Sequence, residues 1–129
     1  MKTQRHLLPM RLMAVLAAMS LSVWAYSAQV FLDVPAEYNV DNPTWKVWSW
    51  ADGQNGNWVN GTMLSNGLIE FTVNDNNLQF VRMSPDGNTE WNRSENQTVM
   101  ADAKYTIAGW GNNSLEINVL PPPESNSIS

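Results

Sequence analysis

The chain has 129 residues, with 7 Lys and Arg against 12 Asp and Glu, one histidine, seven tryptophans and no cysteine. Lack of cysteine excludes disulfides, thiolate catalysis and thiolate metal sites together. The acidic balance excludes the basic footprint expected of a protein that binds nucleic acid or an anionic membrane surface.

The first element in chain order is an export leader. Lys2, Arg5 and Arg11 give a charged opening, Leu12 to Trp24 an uncharged apolar run, and Ala25, Ser27 and Ala28 a small-residue exit. These are the three parts of a secretory signal. A retained anchor is the alternative, but the apolar run is about 13 residues against roughly 20 needed to span a bilayer. Val23 and Ala25 suit a cut before Tyr26, and Ala28 suits one before Gln29. No cysteine follows the run, which excludes a lipid anchor there. The expected division is a leader over residues 1–28, a module over 29–120 and a disordered tail over 121–129 that opens with three prolines. The expected location is the periplasm or the outside of the cell, without stable membrane insertion.

Removal of the leader takes three of the seven cations and His6, leaving four Lys and Arg against twelve acids, a net charge of −8. About 100 residues remain, enough for one domain with a modest core. The mature chain has no imidazole for general-base work or metal binding.

Short strands separated by turn clusters follow. Val30 to Val34 is ended by Pro35, and Trp45 to Trp50 lies between Asn42-Pro43 and Asp52-Gly53. Leu68 to Val73 alternates, with Ile69, Phe71 and Val73 on one face. Asp75-Asn76-Asn77 then leads into Leu78 to Met83, and the two strands are expected to form a hairpin. Lys104 to Ile107 and Leu115 to Val119 close the series around Gly109 to Asn113. This spacing, with no sustained helical period after Trp24 and no internal repeat, indicates an all-β sandwich or open barrel.

Six tryptophans survive the leader: Trp45, Trp48, Trp50, Trp58, Trp91 and Trp110. In the second strand the period of two puts Lys46, Trp48 and Trp50 on one face and Trp45, Val47 and Ser49 on the other. The loop from Asp52 to Asn57 can bring Trp58 beside that pair. Tryptophan is most often core, so burial of this W-x-W is the competing placement. Six indoles exceed what about 100 residues can bury, and Trp91 and Trp110 are the expected core members. Exposed indoles beside Asn and Gln suit a ligand with an apolar face and polar edges, such as a sugar.

The segment from Leu78 to Pro85, with Trp91-Asn92 and Asn96-Gln97-Thr98, reads FVRMSP…WN…NQT. It resembles the starch-binding modules of carbohydrate-binding module family 26, and the likeness runs in order over most of Val30 to Val119. Ser94-Glu95 departs from it, standing where the pattern has a second Trp, and this chain has Trp where the family's platform often has Tyr. The resemblance implies a small immunoglobulin-like β-sandwich that binds an α-glucan (starch, glycogen or maltooligosaccharides). It places Trp48, Trp50 and Trp58 at the binding positions. The polar candidates beside them are Lys46, on the face of Trp48 and Trp50, with Asn92 and Gln97. No cofactor and no metal are implied. Such modules usually accompany a glycoside hydrolase, so a separate one is a candidate partner.

Other readings stay open beside it. Arg82 is expected to clamp a carboxylate at the sandwich edge, or to reach a sugar hydroxyl. Asn92 and Gln97 could bond backbone in a long loop instead of a sugar. Asp52 to Asn57 has a faint calcium-ligand spacing that Asn-rich turns also produce. A glycosidase needs two carboxylates across a cleft, and Glu70, Asp75 and Glu95 lie in no motif, so catalysis is not expected. The rival class is a secreted protein-binding domain (inhibitor, adhesion or accessory subunit) that uses the same aromatic surface.

Overall fold

A strand with one apolar face needs a second apolar surface to cover it, and among the described residues ten strands form two sheets that cover each other. The computed structural model describes residues 27–111 and 113–123. The strands are β1 (Ala28–Asp33), β2 (Thr44–Trp50), β3 (Asn57–Asn60), β4 (Thr62–Met63), β5 (Ile69–Val73), β6 (Asn77–Met83), β7 (Glu90–Arg93), β8 (Gln97–Thr98), β9 (Lys104–Trp110) and β10 (Leu115–Leu120). One 3-10 turn, Ala36–Tyr38, follows β1. The first sheet runs β10-β9-β1-β5-β4. β1 lies at its centre, antiparallel to β5 and parallel to β9. The second sheet runs β3-β2-β6-β7, with β8 also on β6. The fold is an all-β sandwich.

Alternation fills the space between the sheets. Val30 and Leu32, Trp45 and Val47, Phe71 and Val73, Leu78 and Phe80, and Tyr105 and Ile107 all point inward and are buried. Three aromatic rings cross the core in series. Phe71 meets Phe80 at 5.9 Å, and Phe80 meets Tyr105 at 5.2 Å. The Tyr105 hydroxyl donates to the Thr98 carbonyl at 2.8 Å and accepts from the Met100 amide at 3.1 Å, which satisfies it at the core edge. On the side of β7 and β10 a parallel bridge between Ser94 and Leu115 ties the two sheets together.

The expected hairpin of β5 and β6 is not formed. The strands belong to opposite sheets, and Asn74 to Asn76 arches over the end of the sandwich. The reason lies in the apolar faces: Phe71 and Phe80 oppose each other across the core, which side-by-side strands would not allow. Polar contacts hold the arch to the end of β2. Ser49 Oγ donates to Asp75 at 3.0 Å, and Asn76 and Asn77 donate to Asp52 at 3.1 and 2.7 Å.

The expected leader, residues 1–28, lies outside the described residues apart from Ser27 and Ala28. Ala28 opens β1, pairs with Val73 and is buried. The tail leaves β10 at Pro121, and residues 124–129 are likewise outside the described residues.

Candidate functional site

The outward face of the second sheet carries the aromatic pair. β2 and β3 are antiparallel with Trp48 opposite Trp58 and Lys46 opposite Asn60. On the other side of β2, Trp48 faces Gln79 and Lys46 faces Val81, and Val81 in turn faces Arg93 on β7. Directly opposed residues of an antiparallel pair share a face. Lys46, Trp48, Trp58, Gln79 and Arg93 therefore lie on one outward surface.

The two indoles meet at 4.9 Å between centroids, with planes 66° apart. Trp58 is 44% exposed, while Trp48 is half-buried. Part of that cover comes from Gly56. A Cβ there would lie 2.4 Å from Cε2 of Trp48, so only glycine lets the loop rest against this ring. Trp50 lies on the same face, half-buried, and its carbonyl accepts from the Asn77 amide at 3.2 Å. It makes no ring contact with the pair.

Two cations flank the indoles. The Arg93 guanidinium carbon is 5.9 Å from the Trp48 ring and 5.6 Å from the Trp58 ring. Glu90 holds it through both carboxylate oxygens, at 3.0 and 2.7 Å, and Gln79 accepts from it at 2.8 Å. Those bonds from Arg93 keep the Glu90 carboxyl below its ordinary pKa, against a partial burial that would raise it. Lys46 Nζ sits 5.9 Å from the Trp58 ring and donates to the Gly87 carbonyl at 3.1 Å. Gly87, at φ +75°, keeps its own backbone close to the lysine stem.

The structure thus brings together Lys46, Trp48 and Trp58, with Trp50 next along the strand. Asn92 and Gln97 are not among them. Asn92 lies opposite Arg82, and its Oδ1 accepts from that guanidinium at 3.2 Å. Gln97 lies opposite Leu78, whose side chain is core, so it belongs to the inner face of β8. Gln79, Glu90 and Arg93 complete the outward surface without having been expected there. The period of two in β6 points to Gln79. The Glu-x-x-Arg spacing was visible, but a four-residue strand gives no alternation to place it.

Arg82 is structural, with a different partner from the carboxylate expected. It is buried and donates to the Tyr38 and Val40 carbonyls at 2.9 and 2.7 Å. It fastens the loop after β1 rather than an acidic side chain.

Trp91 and Trp110 are not core: they are 38% and 56% exposed. Trp91 sits where a register irregularity interrupts β6 and β7, and its ring lies 4.9 Å from the Arg82 guanidinium carbon. Trp110 ends β9 and leans on Tyr38 at 5.6 Å. The tryptophan that is core is Trp45, whose Nε1 donates to Asn39 at 3.3 Å.

Among the described residues no group of three or more His, Cys, Asp or Glu is placed to hold a metal ion. Asp52, the first residue of the suggested calcium loop, is engaged by Asn77 and Asn76, which hold its carboxyl below the ordinary range. A cavity of about 270 Å³ opens between Asn39, Pro43, Trp45, Gly61, Met63 and Ile69. None of these residues belongs to the indole pair. Comparison with family models, curated proteins and solved structures finds no match for this chain.

Proposed function

We propose that this chain is an exported, non-catalytic carbohydrate-binding module that takes α-glucans on Trp48 and Trp58, with Trp50 and Lys46 beside them. The observation that carries the reading is the cross-strand indole pair, with a half-exposed ring on a face that also carries Lys46, Asn60, Gln79 and Arg93. An indole face accepts the C–H surface of a pyranose, and the surrounding amide and cationic groups meet its hydroxyls. Two rings set 66° apart form a bent seat, which suits a curved chain better than a flat ribbon. Each stacked ring contributes on the order of 1 kcal/mol beyond burial, so affinity falls in the roughly micromolar to millimolar range. The resemblance of the β6 to β8 segment to starch-binding modules of family 26 points to the same ligand class.

The carboxylates are scattered in a way that supports binding without catalysis. Glu90 is bound to Arg93 through both oxygens, Glu70 pairs with Phe31 in the other sheet, and Asp75 sits in the arch. A glycosidase needs two such groups across one bond. A weak module is useful when it raises the local concentration of a separate enzyme on a polymer.

Titration of tryptophan fluorescence with maltoheptaose, alongside Trp58→Ala, tests this. A saturable change that the variant loses supports it, and no change with maltoheptaose or soluble starch in a folded protein overturns it. The second reading, a secreted protein-binding domain, draws on Trp91 and Trp110, exposed indoles outside the pair. It expects no response to the glucans.

A further inference from the structure

The cations of the mature chain are few, and their placement is uneven. Of the four that follow the leader, Arg82 is buried on loop carbonyls, and Lys104 lies in the other sheet. The remaining two, Lys46 and Arg93, both converge on the Trp58 ring. One carboxylate accompanies them, and Glu90 has both oxygens on Arg93. No carboxylate among the described residues forms an ion pair with Lys46. The indole pair is therefore flanked by an excess of positive charge in a mature chain of net charge −8.

Hydrogen-bonding capacity points the same way. A guanidinium has five N–H donors and an ammonium three. Arg93 commits three of its donors, two to Glu90 and one to Gln79. Lys46 commits one, to the Gly87 carbonyl. What the two cations leave uncommitted beside the rings is donors only, two on each, while Gln79 and Asn60 add neutral amides to the same face. The ligand chemistry that matches is an oxygen acceptor with negative charge, presented at the edge of a ring that stacks.

We infer that the Trp48–Trp58 pair is a subsite for an acidic sugar, a pyranose whose carboxylate meets Lys46 and the uncommitted edge of Arg93 while its ring stacks on Trp58. The inference rests on the proposed sugar-binding role of this pair and adds the charge of the preferred ligand. An anion in this seat gains from two cations at short range, and the acidity of the rest of the domain is screened beyond about 8 Å at physiological salt.

The test compares maltoheptaose with the same α-1,4 chain oxidised at C6 to carboxylate. Both are titrated by tryptophan fluorescence at about 20 mM and about 500 mM NaCl, where screening lengths differ several-fold. The expected result is roughly five-fold tighter binding of the oxidised chain at low salt, the scale of exposed ion pairs. That preference disappears at high salt and in Lys46→Met, which keeps the apolar stem and removes the charge. Equal or tighter binding of maltoheptaose at low salt overturns the acidic-sugar inference and leaves the glucan reading intact. No response to either chain from a folded protein overturns both.

Discussion

Trp48 and Trp58 are direct register partners on β2 and β3, their rings meet at 4.9 Å, and Gly56 in the loop between the strands lies against Trp48. The site is thus built by a hairpin rather than by the W-x-W spacing along one strand. The pair packs against a residue that contributes no side chain.

Gly56→Ala is expected to break it. The added methyl would stand 2.4 Å from Cε2 of Trp48, so the indole must turn away from its partner. Overpacking of this kind costs about 1–3 kcal/mol. Two coupled indoles give an exciton couplet in circular dichroism, and the variant should lose it together with its maltoheptaose response. An unchanged couplet would show that the loop can shift instead.

Arg82→Met should be among the most damaging single changes. The methionine keeps the apolar bulk but strands the Tyr38 and Val40 carbonyls, each of which accepts from the guanidinium. A buried acceptor left without a donor costs about 1–3 kcal/mol, and the Tyr38 carbonyl is buried while Val40 is exposed enough for water to reach its own, so the expected loss is roughly 2 kcal/mol. Urea denaturation measures it, and a loss below about 1 kcal/mol would mean that water replaces the arginine at the loop.

These residues also mark what could be read from the sequence. β2 was legible because Trp45, Val47 and Ser49 alternate cleanly with Lys46, Trp48 and Trp50, and burial follows that alternation. Trp58 was legible as a loop return. The hairpin assigned to β5 and β6 failed because Asp75-Asn76-Asn77 is a turn signal for a hairpin and an arch alike. Only the opposition of Phe71 and Phe80 across the core decides between them. Trp91 and Trp110 were misplaced for a similar reason. Residue type favours burial, while a register irregularity and a strand end set where the rings point, and local periodicity carries neither. β7 is too short for its alternation to announce Arg93.

The exposure of Trp110 and the burial of Trp45 give opposite expectations. Trp110→Phe should lower the fraction of fluorescence that acrylamide quenches, with stability changed by less than about 0.5 kcal/mol, as for most surface substitutions. Trp45→Ala removes a buried ring and should cost about 3–5 kcal/mol while raising the quenchable fraction, because only shielded emission is lost. The reverse pattern would return Trp110 to the core.

Acid should weaken the Arg93 arrangement. The pKa of Glu90 is lowered in the folded protein by its hydrogen bonds from Arg93. A depressed carboxylate contributes stability that is present above its unfolded pKa, ordinarily 4.5, and that is lost as pH falls through the lower folded value. Stability should therefore be insensitive to this group at neutral pH and decline below about pH 4.5. Asp52 and Asp86, also lowered, contribute in the same direction. Glu90→Gln should shallow the decline, measured as unfolding free energy against pH, and an identical slope in the variant would assign the acid sensitivity elsewhere.

The place of β1 bears on where the proposed leader would be cut. Ala28 is buried, pairs with Val73 and begins the central strand of the first sheet, with β5 on one side and β9 on the other. A cut before Gln29 would remove that residue and put the new charged amino terminus at the sheet's end, where Gln29 pairs with Thr72. A cut before Tyr26 leaves the whole strand in place with a short lead. If the proposed export holds, N-terminal sequencing of the mature protein should therefore begin at Tyr26. A protein that begins at Gln29 should unfold at lower urea than one that begins at Tyr26, because it loses the Ala28–Val73 pairing and the burial that goes with it. Sequencing that returns Gln29 would show that the sheet tolerates the shorter strand.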